Sequence, residues 1–226
     1  MYTEIKYLYL KQHSVTAGLT EAQLLEMANL VKVKNIKKGE SVYMDDGFES
    51  RIYLLAKGKI KISEVDDRGD ELIKEILTAT EIFGDVSLDG NISDDEFAEA
   101  LTENTVICSF RSSEFKHLMQ TNVVLAMNFI QHVSGKFRRL ENRHANLVFK
   151  DAKSRLISFF RDWARREGCR EGDKIKLNNY LTHNDIAGII STSRQSVTTL
   201  LNELKEGGVI YYNRKQIEFS DRYFVN

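Results

Sequence analysis

The 226-residue chain contains no proline. Its turns therefore have to be made by Gly, Asn and Asp, and Gly39, Gly47, Gly58, Gly69, Gly84 and Gly90 punctuate the N-terminal half where short strands would reverse. Cysteine is nearly absent too. Cys108 and Cys169 are too few for a disulfide framework or a four-thiolate cluster; Cys108, on an expected strand, reads as a buried core thiol, and Cys169 as an exposed thiol in a polar loop. No apolar run approaches the roughly 18 residues of a membrane span, and the opening MYTEIKYLYLK carries Glu4 and too short an apolar stretch for a signal peptide. A cytoplasmic address without a membrane partner is expected. The chain also lacks a strong net charge: −1 overall argues against a general nucleic-acid coat, yet residues 1–149 hold 18 Lys and Arg against 23 Asp and Glu, and residues 150–226 hold 14 against 10. That asymmetry fits phosphate contact by the C-terminal part.

What is present is concentrated between Leu181 and Leu201, LTHNDIAGIISTSRQSVTTLL. Thr182 is placed to cap a helix on the N–H near Asp185, and Ile186, Ile189 and Ile190 share one helical face. Ala187 lies on the inner side, where a small residue lets two helices approach closely. A turn at Ser191 and Thr192 follows, with Ser191 where glycine is commonest because positive φ is often required. Ser193 is an N-cap for a second helix whose buried stripe is Val197, Leu200, Leu201 and Leu204. Arg194, Gln195, Thr198, Thr199 and Asn202 are left facing outward, as on a recognition helix that meets base edges in the major groove. Beyond Gly207 and Gly208, Val209–Tyr212, a basic corner at Asn213, Arg214 and Lys215, and Gln216–Phe219 read as a β-hairpin, which makes the helix pair winged.

At this length there is room for two modest domains. From Val31 to Phe110 short alternating runs are separated by turn residues: Ile52 and Leu54, Ile60 and Ile62, Leu72–Leu77, Val106–Phe110. Period two dominates, and Asp66-Asp67-Arg68-Gly69-Asp70 reads as a hairpin loop. Many short strands with Gly-rich corners suggest a closed or rolled β-structure. The period then changes. Ile130, Val133, Phe137, Leu140, His144 and Leu147 recur at alternating spacings of three and four, a narrow seam flanked by Lys136, Arg138, Arg139, Glu141, Asn142 and Arg143. Such a stripe is what two helices need to pair, so a homodimer is expected, with its reading helices about 34 Å apart on a pseudo-palindromic duplex.

In this order, with ESRIYLLAKGKIKI at Glu49–Ile62, EIFGDVSL at Glu81–Leu88, FKDAKSRLISFF at Phe149–Phe160 and LTHNDIAGIISTSRQSV at Leu181–Val197, the chain resembles the catabolite activator and fumarate-nitrate regulator (Crp-Fnr) family of bacterial transcription factors over nearly its full length. The resemblance implies an α+β fold: an N-terminal β-roll of the cyclic-nucleotide-binding kind (a double-stranded β-helix) over 1–120, a long dimerisation helix over 121–148 and a C-terminal winged helix-turn-helix over 149–226. It also implies a signal-sensing homodimer that reorients its DNA domains about a hinge near Phe149–Ala152. Base contacts carried over from the family fall on Arg194, Gln195 and Thr199, where the catabolite activator has Arg, Glu and Arg. Arg194 suits a bidentate contact to guanine, Gln195 favours adenine, and Thr199 is too short for a guanine contact of the arginine kind. Thr182, Ser193, Arg214 and Lys215 are expected on phosphates.

The candidate effector pocket departs from the family pattern. Its Gly-Glu pair, which holds the ribose, is kept in kind as Gly84-Asp85. The Arg-Ser pair eleven residues after that glycine, which holds the phosphate, falls on Asp95-Glu96, with Asp94 and Glu99 beside it. Carboxylates there repel a phosphate by about 4 kcal/mol per pair at 4 Å and an effective dielectric near 20. The adenine-contacting Thr-Ser pair of the long helix corresponds to Leu140-Glu141, so cyclic AMP control is not expected and the effector is unassigned. No cofactor or metal is predicted, since iron-sulfur members need four cysteines and His13, His117, His132, His144 and His183 form no axial haem set. His144, on the seam, would meet its twin and fix register. An enzyme of the cupin kind would need clustered His and Glu ligands between residues 31 and 110, and no H-x-H or comparable set occurs. An effector-independent regulator, its roll only a dimer scaffold or a platform for RNA polymerase, stays open as the second reading.

Overall fold

The computed structural model of the chain describes residues 2–43, 50–65, 71–89 and 96–220. The expected hairpin loop at 66–70, Gly47, Gly90, Asp94 and Asp95 lie outside them. The chain divides into two compact units, Met1–Leu140 and Glu141–Asn226. Among the described residues no helix is long and apolar enough to cross a membrane.

The first unit opens with elements that hydrophobic alternation did not announce: α1 (Tyr2–Gln12), a 3₁₀ turn (Ser14–Thr16) and α2 (Glu21–Leu30). Thr20 and Gln23 form a reciprocal capping box at the start of α2, with the Gln23 N–H donating to Thr20 Oγ1 over 3.3 Å and the Thr20 N–H to Gln23 Oε1 over 2.8 Å. That Thr-x-x-Gln spacing before Leu24 was the available sequence signal.

Eight strands follow: β1 (Lys32–Ile36), β2 (Ser41–Tyr43), β3 (Arg51–Lys57), β4 (Lys59–Val65), β5 (Glu71–Thr78), β6 (Ile82–Gly84), β7 (Glu96–Ala100) and β8 (Thr105–Arg111). They pair antiparallel in two four-stranded sheets, ordered β1-β8-β3-β6 and β2-β7-β4-β5. The alternation expected from the sequence is present but does not give one wet face. Ile52, Tyr53, Leu54 and Leu55 of β3 are all buried. Tyr53 and Leu55 point between the two sheets with Ile36, Ile60, Ile62, Leu77, Phe83, Ala98 and Ile107. Ile52 and Leu54 point the other way, into a second core built with Leu10, Val15, Met27, Cys108, Phe110, Phe115, Leu125 and Phe129. Helices covering the back of the first sheet explain the continuous apolar runs. Burial there pushes the Cys108 thiol up to about 12, so it remains a protonated core group.

After the short α3 (Ser112–Thr121), the helix α4 (Val123–Phe149) spans 27 residues. Leu125 and Phe129 bury one side of it, and Asn128 donates to Val15 O (3.0 Å) and Ala17 O (2.8 Å), fixing it to the 3₁₀ turn. Glu75 of β5 takes Lys136 (2.5 Å) and Arg139 (2.7 Å), and Arg139 also reaches Glu81 (3.1 Å). Burial alone would raise the Glu75 carboxyl; the two cations outweigh it and hold it below the usual range.

His13 is 3% exposed. Its Nδ1 accepts the Val15 N–H (3.2 Å), so Nε2 carries the proton and faces Glu81 O (3.3 Å). Burial lowers its pKa to about 4; the Glu81 carbonyl opposes this and His132 adds to it. The unfolded chain takes up that proton near pH 6.5, whereas the folded protein waits until about pH 4, so acidification through this window favours unfolding. Denaturation of the protein should show stability falling between these two pH values, with a shallower fall in His13→Gln; identical pH profiles for both would contradict the burial of a neutral ring.

Candidate nucleic-acid interface

The second unit contains α5 (Ala152–Glu167), β9 (Cys169–Glu171), β10 (Lys174–Asn178), α6 (His183–Ile190), α7 (Arg194–Glu206), β11 (Ile210–Tyr212) and β12 (Gln216–Ser220). The last residue of α4 and the first of α5 are separated only by Lys150 and Asp151, and Asp151 caps α5 on the Ser154 N–H (2.7 Å). Leu156, Phe160, Trp163 and Ala164 line the buried side of α5, with Phe160 against Phe219 (5.4 Å between ring centroids) and Trp163 against Tyr180 (5.0 Å). The strands form one antiparallel sheet, β11-β12-β10-β9. Cys169 is exposed as expected, but it begins the edge strand β9 rather than lying in a loop, because its backbone pairs with Lys176.

The helix pair forms as its caps and stripes foretold. Thr182 Oγ1 accepts the Asp185 N–H (3.1 Å), and Asp185 returns the bond to the Thr182 N–H (2.7 Å). Ile186, Ala187 and Ile190 are buried against Val197, Leu201 and Leu204. Ser193 caps α7 on the Ser196 N–H (3.0 Å). Ser191 does take the left-handed conformation, at φ 53°. The carbonyls left at the C-terminal end of α6 are met by arginines from outside the motif: Arg155 donates to Ile190 O (2.8 Å), Ser191 O (3.2 Å) and Lys150 O (2.8 Å), and Arg143 to Gly188 O (3.2 Å). Guanidinium groups at that pole also suit the helix dipole.

Arg194, Gln195 and Thr199 lie exposed on α7, the first two in its first turn. Among the described residues, no hydrogen bond or ion pair engages the Arg194 or Gln195 side chain. Arg214 and Lys215 are exposed at the corner between β11 and β12, where Asn213 Oδ1 accepts the N–H groups of Lys215 and Gln216 (2.8 Å each). Thr182 is exposed, but its hydroxyl also donates to Asp185 (2.7 Å), so its donors are already taken. Thr198, expected to face outward, is half-buried because its hydroxyl joins His183 (2.8 Å) and Arg194 O (3.0 Å). That link, with Arg143 and Arg155, went unread in the sequence; each joins residues too far apart for local periodicity to register.

On α4, Ile130, Phe137, Leu140, His144 and Leu147 are exposed, Phe137 by 59% and Leu140 by 63%. Val133 differs, since it packs against the first-unit core. Of the candidate effector residues, Gly84 ends β6 at φ 84° with no room for a Cβ beside Arg51 O. Asp85 is buried, its carboxylate accepting from Ser50 (2.9 Å) and Ser87 (3.1 Å). Glu96 pairs with Lys74 (2.5 Å), which also meets Glu64. Leu140 and Glu141 are exposed on α4. Among the described residues no three His, Cys, Asp or Glu side chains converge as a metal site.

A two-sheet β-roll, a long helix and a winged helix pair with an open polar face on its second helix define a DNA-binding regulator. Comparison with known proteins agrees. Residues 33–122 match the cyclic nucleotide-binding domain family and residues 154–223 the Crp-like helix-turn-helix domain family. The global nitrogen regulator of Synechococcus elongatus is 29% identical over 191 residues, covering 83% of this chain and 85% of that protein. The CRP-like cAMP-activated global transcriptional regulator of Mycobacterium tuberculosis is 22% identical over 212 residues, 94% of each. The fold is also that of a CooA mutant from Carboxydothermus hydrogenoformans, with a TM-score of 0.72 at 23% identity over 85% of this chain and 84% of that one. The chain belongs to the Crp-Fnr family of transcription regulators. It binds DNA as a regulator and is not an enzyme.

The turn residue offers a direct check of the motif's geometry. Ser191→Gly removes the Cβ strain of the left-handed conformation and should raise unfolding stability by about 1 kcal/mol; urea denaturation measures it, and a loss of stability would contradict the turn.

Proposed function

We propose that the protein is a homodimeric, sequence-specific regulator that reads a pseudo-palindromic site through Arg194, Gln195 and Thr199. The observation that carries this reading is the pair of uncommitted side chains, Arg194 and Gln195, on the first turn of a helix capped by Ser193. Ser193, Arg214 and Lys215 supply phosphate contacts. Thr182 contributes by its position at the start of α6, its hydroxyl being held by Asp185. Arg194 selects guanine and Gln195 adenine, which makes the half-site different from one read by Arg, Glu and Arg.

The dimer forms along α4. Burying Phe137, Leu140 and Ile130 against a second copy stabilises it by about 1.5–3 kcal/mol for each side chain fully withdrawn from water. The functional division is a sensor over 1–120, a dimer helix over 121–148 and a DNA domain over 149–226, with Lys150 and Asp151 as the hinge between the last two.

The effector is not cyclic AMP. Asp85 spends its oxygens on Ser50 and Ser87, and Glu96 is bound to Lys74 where a phosphate would need a cation. The stack of Tyr53 on Phe83 (4.8 Å) between the sheets supports the second reading, an effector-independent roll serving as dimer scaffold or as a surface for RNA polymerase.

Two measurements decide the reading. In a binding-site selection, Arg194→Ala should relax preference at one base pair, whereas Lys215→Ala should weaken all sequences alike and lower the salt slope by about one unit per wing; unaltered binding in both would remove this face as the reader. In sedimentation velocity, Phe137→Glu combined with Leu140→Glu should give a monomer that no longer distinguishes the palindrome from bulk DNA. A variant that stays dimeric would sink the α4 interface.

A further inference from the structure

The segment Asn179–His183 grips the wing at two points. Asn179 gives its backbone N–H to Lys215 O (2.8 Å) and its side-chain amide to Asn213 O (3.1 Å), which holds the basic corner of the hairpin. Four residues later the His183 ring bridges two other elements, with Nδ1 at 2.8 Å from Thr198 Oγ1 on α7 and Nε2 at 2.7 Å from Tyr212 Oη on β11. The directions of these bonds follow from Thr198. Its hydroxyl proton goes to Arg194 O (3.0 Å), so its oxygen accepts from His183 Nδ1–H. The bare Nε2 then accepts from the Tyr212 hydroxyl, and every proton in the chain Tyr212, His183, Thr198, Arg194 has one acceptor. Burial, together with the Arg194 charge, holds the His183 pKa below its ordinary value, which keeps this neutral tautomer in place at pH 7.

Resting on the assignment of α7 and the wing as the DNA face, we propose that His183 is a positioning residue for DNA reading: it ties the wing to the recognition helix, so that Lys215 and Arg214 meet phosphates while Arg194 meets a base. β11 is only three residues long. Sheet pairing and the Asn179 bonds keep the hairpin folded, but without a side-chain tie to α7 its position relative to the reading helix would have to be fixed each time DNA binds, and that cost subtracts from affinity. The chain from Tyr212 to the Arg194 carbonyl removes the cost beforehand. It links the first residue of the reading helix to the last residue of the strand before the wing's corner.

The test uses the full-length protein with a duplex carrying its selected site, affinity being measured across a range of salt. Tyr212→Phe keeps the ring and deletes one hydroxyl, so it folds. It should weaken binding about five- to tenfold, the effect of losing one net hydrogen bond. In that background, adding Lys215→Ala should cost less than it does alone, because the wing, still held at its corner by Asn179, is no longer fixed at the distance from α7 at which Lys215 and Arg194 act together. His183→Ala should behave as Tyr212→Phe does, and His183→Gln, whose amide both donates and accepts, should recover most of the loss. A Lys215 contribution undiminished by Tyr212→Phe overturns the tether while leaving the DNA face standing. A wild-type salt slope in Lys215→Ala alone overturns the wing as a DNA contact, and the tether with it.

Discussion

The rotation of α4 about its own axis is the constraint on which the arrangement of this molecule turns. A 27-residue helix with apolar groups on two sides has no unique orientation from hydrophobicity alone. Leu125, Phe129 and Val133 compete with Ile130, Phe137 and Leu140 for the roll, and the helix settles with the first set inside. Polar contacts decide between them. Asn128 reaches two carbonyls of the segment after α1, and Lys136 and Arg139 close on Glu75. Ion pairs of this kind add little net stability, because desolvation offsets most of the attraction. Their contribution is to exclude the alternative rotation, which would leave Glu75 sunk in the protein without a cation. The result is a helix that turns Ile130, Phe137 and Leu140 toward water.

The turn between α6 and α7 is closed with neither of the residues most used for punctuation, although glycines cap α5 and α7 at Gly168 and Gly207. No proline stops α5 or α6, and serine stands where a glycine would close α6. The backbone groups that such residues would satisfy or remove are met instead from a distance, by Arg143 on the last turns of α4 and Arg155 on the first turn of α5. Because Arg155 also holds Lys150 O, the residue that follows α4 is bonded to the group that closes α6. Geometry at the chain break is thereby felt at the turn before the recognition helix.

How much of this was legible in the sequence depends on the range of the interaction. Caps at Thr182 and Ser193 and the corner at Asn213 are local and follow from residue types and spacing, as does the stripe Val197, Leu201 and Leu204, whereas Leu200, expected in that stripe, is only half-buried. The strands were located by their turn glycines, but the helices behind β3 were not, since Ile52 to Leu55 reads the same whether one face or two are covered. In the first thirty residues the one local signal, the capping box of Thr20 and Gln23, is recognised only once α2 is seen. Thr198 was assigned outward by helical phase, and the structure turns its hydroxyl to His183, a partner fifteen positions away that phase cannot reveal. At the candidate effector site the sequence supplied the charges, and the structure supplied what those charges already hold: Ser50 and Ser87 on Asp85, Lys74 on Glu96.

Trp163 is the only tryptophan in the chain, and it lies buried on α5 between aromatic neighbours of the DNA-binding half. Indole emission therefore reports on that half alone, from a dry setting that shifts it toward the blue. A change confined to the β-roll is silent to indole emission until it disturbs α5. The one indole thus labels the DNA-binding end of this regulator and leaves the β-roll dark.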